Sequence, residues 1–296
     1  PTHSFKSRFL HLPHLILVPK GILSQLKLAQ VIRYIIYNII KVFVRILHLF
    51  SMAGVAEIMC KYGAGDKVLQ LEQFDTFGFH EYYGVTELFK DLQSLIKRAE
   101  YIQTNYDKIV IHDYSEFKLN FPKNKVVLVF HGSKLRGLNE KELETVKEYP
   151  CYVTTSDLFD ILPFAKHLPA PVDSDLFKKD VEGYGWIAIN RPYQRDLIEK
   201  RIKARYPDVQ YYERNASSII RYEDMPDFLS QYKHYVDWKF TTDTIPLSLP
   251  DPSCTGIQAL ALGLTVHDKD GGTLSTNLLL IHDAKRITER FINEIT

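Results

Sequence analysis

The sequence predicts an α/β fold with two mostly parallel sheets. Short β-rich runs alternate with helical stretches along the chain, an order that builds a parallel sheet covered by helices. Several runs are almost continuously apolar, such as Lys108–His112 and Val126–His131, which is typical of strands buried on both faces. The alternation stops at Leu168–Pro171 and then restarts. Because proline removes a backbone donor and disfavours a helix before it, this stretch indicates a connector between two halves.

Each half has its own predicted elements. In the first half, the predicted strands are Arg45–Ser51, Lys67–Leu71, Lys108–His112, Val126–His131 and Cys151–Thr155. The helices are a stretch ending at about Tyr62, Val85–Asn105 with apolar residues three and four apart, and the charged stretch Asn139–Glu148. In the second half, the strands are Trp186–Asn190, Val209–Tyr212, Val236–Phe240 and Leu264–His267, and the helices are Arg195–Tyr206, Pro226–Tyr232, Cys254–Leu262 and Asn277–Ile295. Ligands of open α/β sheets bind beyond the carboxyl ends of strands, so we expect the facing loops to form the site.

Composition narrows the class of protein. The chain has 296 residues, 45% hydrophobic and 25% charged, which suits two globular cores and not extensive disorder. Cys60, Cys151 and Cys254 are too few and too scattered for a disulfide framework or a paired-cysteine zinc site, so we expect a cytoplasmic protein. There is no Walker loop, GxGxxG or HExxH motif. Outside the N-terminus there is no basic stripe with interleaved aromatic residues, and a pI of about 8.0 is too mild to indicate nucleic acid as a partner.

The first 44 residues form a basic, amphipathic segment. No Asp or Glu occurs before Glu57, although seven Lys and Arg residues do. The apolar stretch Leu26–Phe50 is interrupted by cations every few residues. It therefore lacks the run of about 18 uninterrupted apolar residues that would predict a membrane span. Two interpretations remain open: a helix lying on an anionic membrane surface, and an ordinary helix packed on the core.

Four stretches carry the candidate chemistry. They are RILHLFSMAGVAEIMCKYGAGDKVLQL (Arg45–Leu71), VVLVFHGSKLRG (Val126–Gly137), LPAPVDSDLFKK (Leu168–Lys179) and WIAINRPYQRDLIEKR (Trp186–Arg201). In the first, Gly54 allows close backbone approach before a helix whose amides could bind phosphate, although such a glycine is often structural. In the second, His131 at a strand end could bind a hydroxyl or be a satisfied core histidine, and Arg136 could bind diphosphate or be solvated.

Taken in order, these stretches resemble the GT-B glycosyltransferases, in particular the retaining family 4-like group that uses nucleotide sugars. The resemblance covers Arg45–Gly272 and implies a GT-B-like fold, two facing Rossmann-like domains with a central cleft. Within this organisation we expect an acceptor-side domain at 45–168 and a nucleotide-sugar-binding domain at 169–280, preceded by the segment 1–44, which lies outside the resemblance, and followed by a closing helix at 281–296.

The resemblance also implies roles for single residues. His131 would contact the transferred sugar or the acceptor, with His112-Asp113 as a second candidate pair, and Arg191 and Arg195 would hold the donor diphosphate. The closing signature LPDPSCTGIQALALGLTVHDKDGG (Leu249–Gly272) departs from the family's two glutamates eight residues apart. Gln258 stands at the second glutamate position, where it could bind the ribose. Pro250 occupies the first position, whose glutamate contacts the transferred sugar in the family, and the adjacent Asp251 could replace that catalytic glutamate if the loop shifts by one residue. Ser253, Thr255 and Gly256 offer hydroxyls and amides to phosphate.

The resemblance therefore implies a metal-independent hexosyltransferase. It would move a sugar from a nucleotide diphosphate donor to an acceptor hydroxyl with retention, and it would need no cofactor besides that donor. The acceptor would be a glycan or a lipid-linked saccharide. A nucleotide-sugar epimerase, a sugar phosphorylase and a non-catalytic nucleotide-sugar-binding relative remain alternatives, the last because the glutamates are missing.

The basic segment generates the first testable prediction. If it binds an anionic bilayer, each cation near the surface contributes about 1 kcal/mol, so binding should weaken steeply with salt and be lost when Arg33, Lys41 and Arg45 become Glu. Vesicle sedimentation with anionic and with neutral lipid measures this. Equal, salt-insensitive recovery in both supernatants would leave only the core-packed helix.

Overall fold

Seven parallel strands form the sheet of the first half. The computed structural model describes residues 44–74, 76–113, 121–190, 195–213, 218–237, 251–268 and 270–296. Within these ranges the strands pair in the order β3-β2-β1-β4-β5-β6-β7. They are β1 (Ile46–Leu49), β2 (Lys67–Leu71), β3 (Thr86–Phe89), β4 (Lys108–His112), β5 (Val126–Phe130), β6 (Cys151–Val153) and β7 (Lys166–His167).

Short helices connect these strands. They are α1 (Val55–Lys61), α2 (Phe79–Tyr83), α3 (Leu92–Ile96), α4 (Ala99–Asn105), α5 (Ser133–Arg136) and α6 (Glu140–Val146). Helix α6 begins where the sequence has a capping box: the Asn139 side chain accepts from the Glu142 amide at 3.0 Å, and the Glu142 carboxylate accepts from the Asn139 amide at 2.8 Å. These reciprocal bonds satisfy two amides that a helix start leaves without partners.

A separate four-stranded parallel sheet forms the second half. Its strands pair in the order β11-β10-β8-β9, and they are β8 (Trp186–Asn190), β9 (Val209–Glu213), β10 (His234–Val236) and β11 (Thr265–His267). The helices are α7 (Arg195–Arg205), α8 (Met225–Leu229), α9 (Cys254–Leu262), α10 (Leu278–His282) and α11 (Ala284–Ile295). The predicted α/β class is confirmed, with two parallel sheets separated after β7.

The last helix packs most of its apolar face against the first sheet, whereas its first residue, Ala284, is buried in a cluster with Ile187 of the second sheet. Phe291, Ile292 and Ile295 of α11 are buried with Val110 and Val127 of the central strands. Burial of an apolar side chain of this size stabilises a fold by about 1.5–3 kcal/mol. The chain therefore returns to its first half to cover one face of that sheet.

Two predicted helices are wrong in part. The stretch Val85–Asn105 contains strand β3 and the two helices α3 and α4, because its start pairs with β2 and the Asp91 carboxylate caps a new helix by accepting from the Ser94 amide at 2.8 Å. The closing stretch Asn277–Ile295 is two helices, because Asp283 is extended (φ −61°, ψ 116°) and caps α11. Strand β7 and helix α2 were not predicted.

Most of the basic segment, residues 1–43, lies outside the described residues. Arg45, which the membrane interpretation includes, lies with its guanidinium 4.8 Å from the centre of the Tyr106 ring and 3.9 Å from Asp66. The lipid prediction therefore depends on Arg33 and Lys41. Within the described ranges, no helix combines the length and the apolar character needed to cross a membrane.

A buried carboxylate fixes the connector between the sheets. Asp173 has no exposed surface, and it accepts from the Lys61 ammonium at 2.7 Å, the Tyr62 hydroxyl at 3.0 Å and the Tyr83 hydroxyl at 2.9 Å. The amide of Asp175 adds a further donor at 3.2 Å. Since a buried charge is tolerated only when it is paired and hydrogen-bonded, these contacts hold the connector against α1 and α2.

Replacing Asp173 with Ala should lower the free energy of unfolding by roughly 3–5 kcal/mol, because it leaves a partly buried ammonium and two hydroxyls without their acceptor. Urea denaturation followed by circular dichroism measures the change. Asp175→Ala is the matched control: this neighbouring carboxylate is about half exposed, so its loss should barely move the midpoint. Equal effects of the two substitutions would contradict the role assigned to Asp173.

Candidate functional site

The strand order defines a switch point in the first sheet, between β1 and β4. From β1 the chain moves outward to β2 and β3, and it then crosses to the other side of β1 to form β4. The crossing loops diverge here, so the carboxyl ends of β1 and β4 border the crevice where α/β proteins bind ligands.

The backbone is strained at this edge. Among the described residues, three that are not glycine have positive φ: Phe50 (61°), Ala53 (50°) and Asp113 (48°). Phe50 directly follows β1, Asp113 directly follows β4, and Ala53 lies in the loop between β1 and α1. Each costs of order 1–2 kcal/mol in an L-residue, and such strain is often found at functional sites.

Gly54 has a packing role at this edge. It has a φ of 74° and precedes α1, and a Cβ there would collide with the ring of Phe79. Both the left-handed conformation and the close ring explain why glycine is required. The predicted phosphate contact of Gly54 stays a prediction.

Three histidines form a hydrogen-bonded chain that ends at the switch point. His48 Nδ1 lies 2.9 Å from His112 Nε2, and His112 Nδ1 lies 2.9 Å from His131 Nε2. At the inner end, His48 Nε2 lies 2.6 Å from the carbonyl oxygen of Ala64. His48 and His112 have no exposed surface, whereas His131 is partly exposed. The chain therefore runs from the core to the carboxyl edge of β5.

Strand geometry explains this alignment. Alternate residues of a strand share a face. Val110 and His112 of β4 therefore lie on one face of the sheet, and Val127, Val129 and His131 lie on that same face along β5. Strand β1 is in register with β4 at His48 and Val110, which sets His48 diagonally beside His112. Gly65 makes room for the innermost ring, since a Cβ there would lie 2.7 Å from His48 Cδ2.

Burial keeps these imidazoles neutral. Desolvation lowers the pKa of His48 to about 4, and the hydrogen bond to the Ala64 carbonyl acts in the opposite direction. Desolvation, followed by the two neighbouring histidines, lowers the pKa of His112 well below its usual range. Desolvation also lowers the pKa of His131, and the nearby Asp113 opposes this effect. At neutral pH each ring thus carries one proton.

Asp113 lies directly beside His131. Its Oδ1 accepts from the His131 amide at 2.7 Å, and Asp113 is only 6% exposed. Its other oxygen, Oδ2, is buried and has no hydrogen-bond partner within the part of the chain that the structure describes. Because a buried carboxylate oxygen without a donor is costly, Asp113 is a candidate to accept a hydrogen bond from a ligand.

The neighbouring strand ends are also polar. Arg136, a candidate for diphosphate binding, forms an ion pair with Asp157. Thr155 Oγ1, Asp157 Oδ1 and His167 Nε2 are buried without a partner among the described residues. These atoms follow β6 or end β7, so unsatisfied polar groups extend along the same carboxyl edge as Asp113.

Asp251 links this edge to the second half. Its Oδ2 accepts from the amide and from the hydroxyl of Ser156, the latter at 2.8 Å. The contact joins residues 95 positions apart in sequence. Asp251 therefore lies near the carboxyl edge of the first sheet, as a residue of a shared site would, but one of its oxygens is engaged by protein.

The carboxylate of Asp237 lies at the start of α9. Ser253 caps the helix by accepting from the Gly256 amide at 2.9 Å, and the Ser253 amide donates to Asp237 Oδ2 at 2.7 Å. A Cβ at Gly256 would collide with Asp237. Since Asp237 already places negative charge at this helix start, a phosphate on Ser253 or Gly256 would be repelled. Thr255 is buried and Gln258 is half-buried.

The predicted diphosphate ligands cannot be located in the same way. Arg191 lies outside the described residues. Arg195 is the first residue of α7, and its side chain lies outside what the structure describes.

His48, Asp157 and Asp237 were not singled out from the sequence. A histidine inside the apolar run ILHL (Ile46–Leu49) is the one usable signal, because the interior of a buried strand rarely contains a polar residue without a partner.

Two concave surfaces lie away from these groups. One, of about 390 Å³, is lined by residues that include Lys67, Glu87 and Tyr106. The other, of about 700 Å³, is lined by residues that include Lys178, Gly263 and Arg286. Neither is lined by the histidine chain or by Asp113. The candidate site is therefore identified by its polar side chains and not by the volume of a cavity.

Comparison with known proteins does not supply a family. No protein-family model matches the chain, and no curated protein matches it either. Function must therefore be inferred from the site itself.

The histidine chain should make stability depend on pH. The pKa of His48 is about 4 in the folded protein and 6.5 in an exposed chain, so the unfolded state binds more protons between these values. Stability should be complete above about pH 6.5 and fall by on the order of 3 kcal/mol as the pH drops toward 4. Urea midpoints across this range measure the loss. His48→Gln, whose amide does not titrate, should give a shallower pH dependence; an unchanged slope would contradict the assignment.

Proposed function

We propose that the protein is a glycosyltransferase that moves a sugar from a nucleotide diphosphate donor to an acceptor hydroxyl. The observation that carries the proposal is the pairing of His131 with Asp113 at the switch point of the first sheet. An oriented imidazole and a carboxylate with an unpartnered oxygen are suited to hold carbohydrate hydroxyls. The resemblance to the retaining GT-B enzymes supports the same reaction class.

The architecture supports a two-sided site. Two separate parallel sheets each have a switch point, between β1 and β4 and between β8 and β10. The Asp251–Ser156 contact links the loop before α9 to the carboxyl edge of the first sheet. We infer a GT-B-like arrangement, with the acceptor side on residues 45–168 and the donor side on 169–280.

The donor diphosphate is assigned to Arg191 and Arg195. Strand β8 borders a switch point and ends at Asn190, and Arg191 is the next residue in the sequence. Fixed positive charge there would stabilise the leaving diphosphate as the bond to the sugar breaks. The negative charge of Asp237 at the start of α9 makes these arginines better candidates than Ser253 and Gly256. Gln258 is retained as a candidate for the ribose.

The acceptor and the location of the protein follow from the same proposal. A glycan or a lipid-linked saccharide would present the hydroxyl, and the basic segment 1–44 would hold a cytoplasmic enzyme at an anionic membrane surface. The resemblance implies a reaction without a bound metal, in which arginines balance the diphosphate charge.

One observation favours a second candidate, a protein that binds a nucleotide sugar without transferring it. Asp251, proposed as a catalytic group, already accepts two hydrogen bonds from Ser156. Its role in such a protein would be to hold the two halves together. Binding without turnover would identify this candidate.

The fourth prediction tests the function. A thermal-shift screen with uridine, guanosine, adenosine and cytidine diphosphate sugars should show stabilisation by one donor class, and donor turnover should accompany it. Arg191→Ala and Arg195→Ala should each reduce transition-state stabilisation by about 2–4 kcal/mol.

Arg201→Ala is the matched control, because Arg201 is exposed on the same helix and is not assigned to the donor. It should leave affinity and turnover unchanged. If both assigned arginines can be removed without effect, the donor site is elsewhere; if no nucleotide sugar binds, the proposed function is wrong.

A further inference from the structure

We propose that His48 and His112 are positioning residues that hold His131 in the Nε2–H tautomer, so that its Nδ1 and Asp113 Oδ2 form a subsite that only accepts hydrogen bonds. The ligand of this subsite is a pair of carbohydrate hydroxyls. That choice of ligand rests on the proposed transferase function. The assignment of the tautomer rests only on the hydrogen bonds of the histidine chain.

The direction of the chain follows from its inner end. The Ala64 carbonyl oxygen can only accept, so His48 Nε2, 2.6 Å away, must carry the proton. A neutral ring has one N–H, and Nδ1 of His48 is therefore an acceptor. It accepts from Nε2–H of His112 at 2.9 Å.

The same reasoning continues outward. Because the proton of His112 is on Nε2, its Nδ1 accepts from Nε2–H of His131 at 2.9 Å. Nδ1 of His131 then carries a lone pair at the partly exposed end of the chain. A single backbone carbonyl in the core thus fixes which atom His131 presents at the edge of the sheet.

Asp113 adds the second acceptor. Its Oδ1 is bound to the His131 amide, which holds the carboxylate against the histidine, and its buried Oδ2 has no partner among the described residues. Asp113 and His131 therefore form one unit at the strand edge.

The donor–acceptor pattern selects the ligand. The diphosphate of a nucleotide sugar offers only acceptors at neutral pH and is negatively charged like a carboxylate, so it fits neither group. Hydroxyls on adjacent carbons each supply one donor at a separation set by the sugar ring. The subsite is thus suited to the carbohydrate part of a substrate, and the diphosphate must bind elsewhere.

The tautomer can be measured without any ligand. Nitrogen-15 NMR of the histidine-labelled full chain at about pH 7.5 should show Nδ1 of His131 as an unprotonated ring nitrogen and Nε2 as a protonated one. His131→Gln identifies the signals by removing them. His112→Phe removes the acceptor of Nε2–H, so it should give a mixture of the two His131 tautomers. An Nδ1–H signal in the wild-type chain would overturn the proposal.

Ligand binding gives a separate readout. D-glucose, D-galactose and D-mannose are the probes, and at least one should shift the Nδ1 signal of His131. Asp113→Asn should weaken that response at least about tenfold, because it keeps an acceptor for the His131 amide and tolerates positive φ but turns Oδ2 into a donor. His80→Gln, on helix α2 and outside the subsite, should leave it unchanged.

The outcomes separate this inference from the proposed function. A hexose response that Asp113→Asn abolishes, in a protein that binds no nucleotide sugar, would support the subsite and overturn the transferase. Donor turnover with no hexose response, or a stronger response to ethylammonium than to any hexose, would overturn the subsite and leave the transferase. If His112→Phe fails to fold, the tautomer of His131 in the wild-type chain and the hexose response of Asp113→Asn still test the proposal.

Discussion

The buried carboxylate of Asp173 determines how the two halves meet. Its contacts with Lys61 and Tyr83 fix the connector to the helices that follow β1 and precede β3. The Tyr83 hydroxyl also lies 3.2 Å from that of Tyr222, which belongs to the second half. The Phe79 ring, whose centre is 4.6 Å from that of Tyr222, extends this contact. An aromatic cluster thus surrounds one charge, and the low-dielectric surroundings strengthen each of its hydrogen bonds.

The second link between the halves has a different character. Asp251 reaches Ser156 with a half-buried side chain, so the contact is more accessible to water than the Asp173 cluster. Hydrogen bonds near the surface contribute less net stability than buried charged ones. The contact at the edge that contains the candidate site is therefore weaker than the contacts at the connector.

The sequence predicted the elements whose local pattern decides their structure. Buried strands such as Lys67–Leu71 were placed correctly because their apolar runs leave few alternatives. Strand β3 was missed because it is only partly buried and its apolar residues also fit helical spacing. The two residues of β7 carry no pattern at all. Such edge strands form because a neighbour already offers hydrogen bonds, which is tertiary information.

The same distinction applies to the candidate site. His131 could be predicted because it ends an apolar strand, a position where ligands bind. Its dependence on His48 could not, since that requires the order of strands in the sheet. The contacts of Asp237 and Asp251 likewise join distant positions. The roles of Arg191 and Arg195 remain predictions, because their side chains lie outside the described residues.

The packing of α11 has a consequence for the order of folding. In the folded protein, Ile287, Phe291 and Ile292 cover the face of the first sheet that contains Val110, Val127 and Val129. The ribosome must therefore make both halves before this face of the first sheet is covered, although the cluster on its other face consists of first-half residues alone. Until then an apolar surface is exposed on the nascent chain, and such surfaces promote aggregation. Loss of the last helix should accordingly cause aggregation of the first half, even though that half precedes the helix by more than a hundred residues.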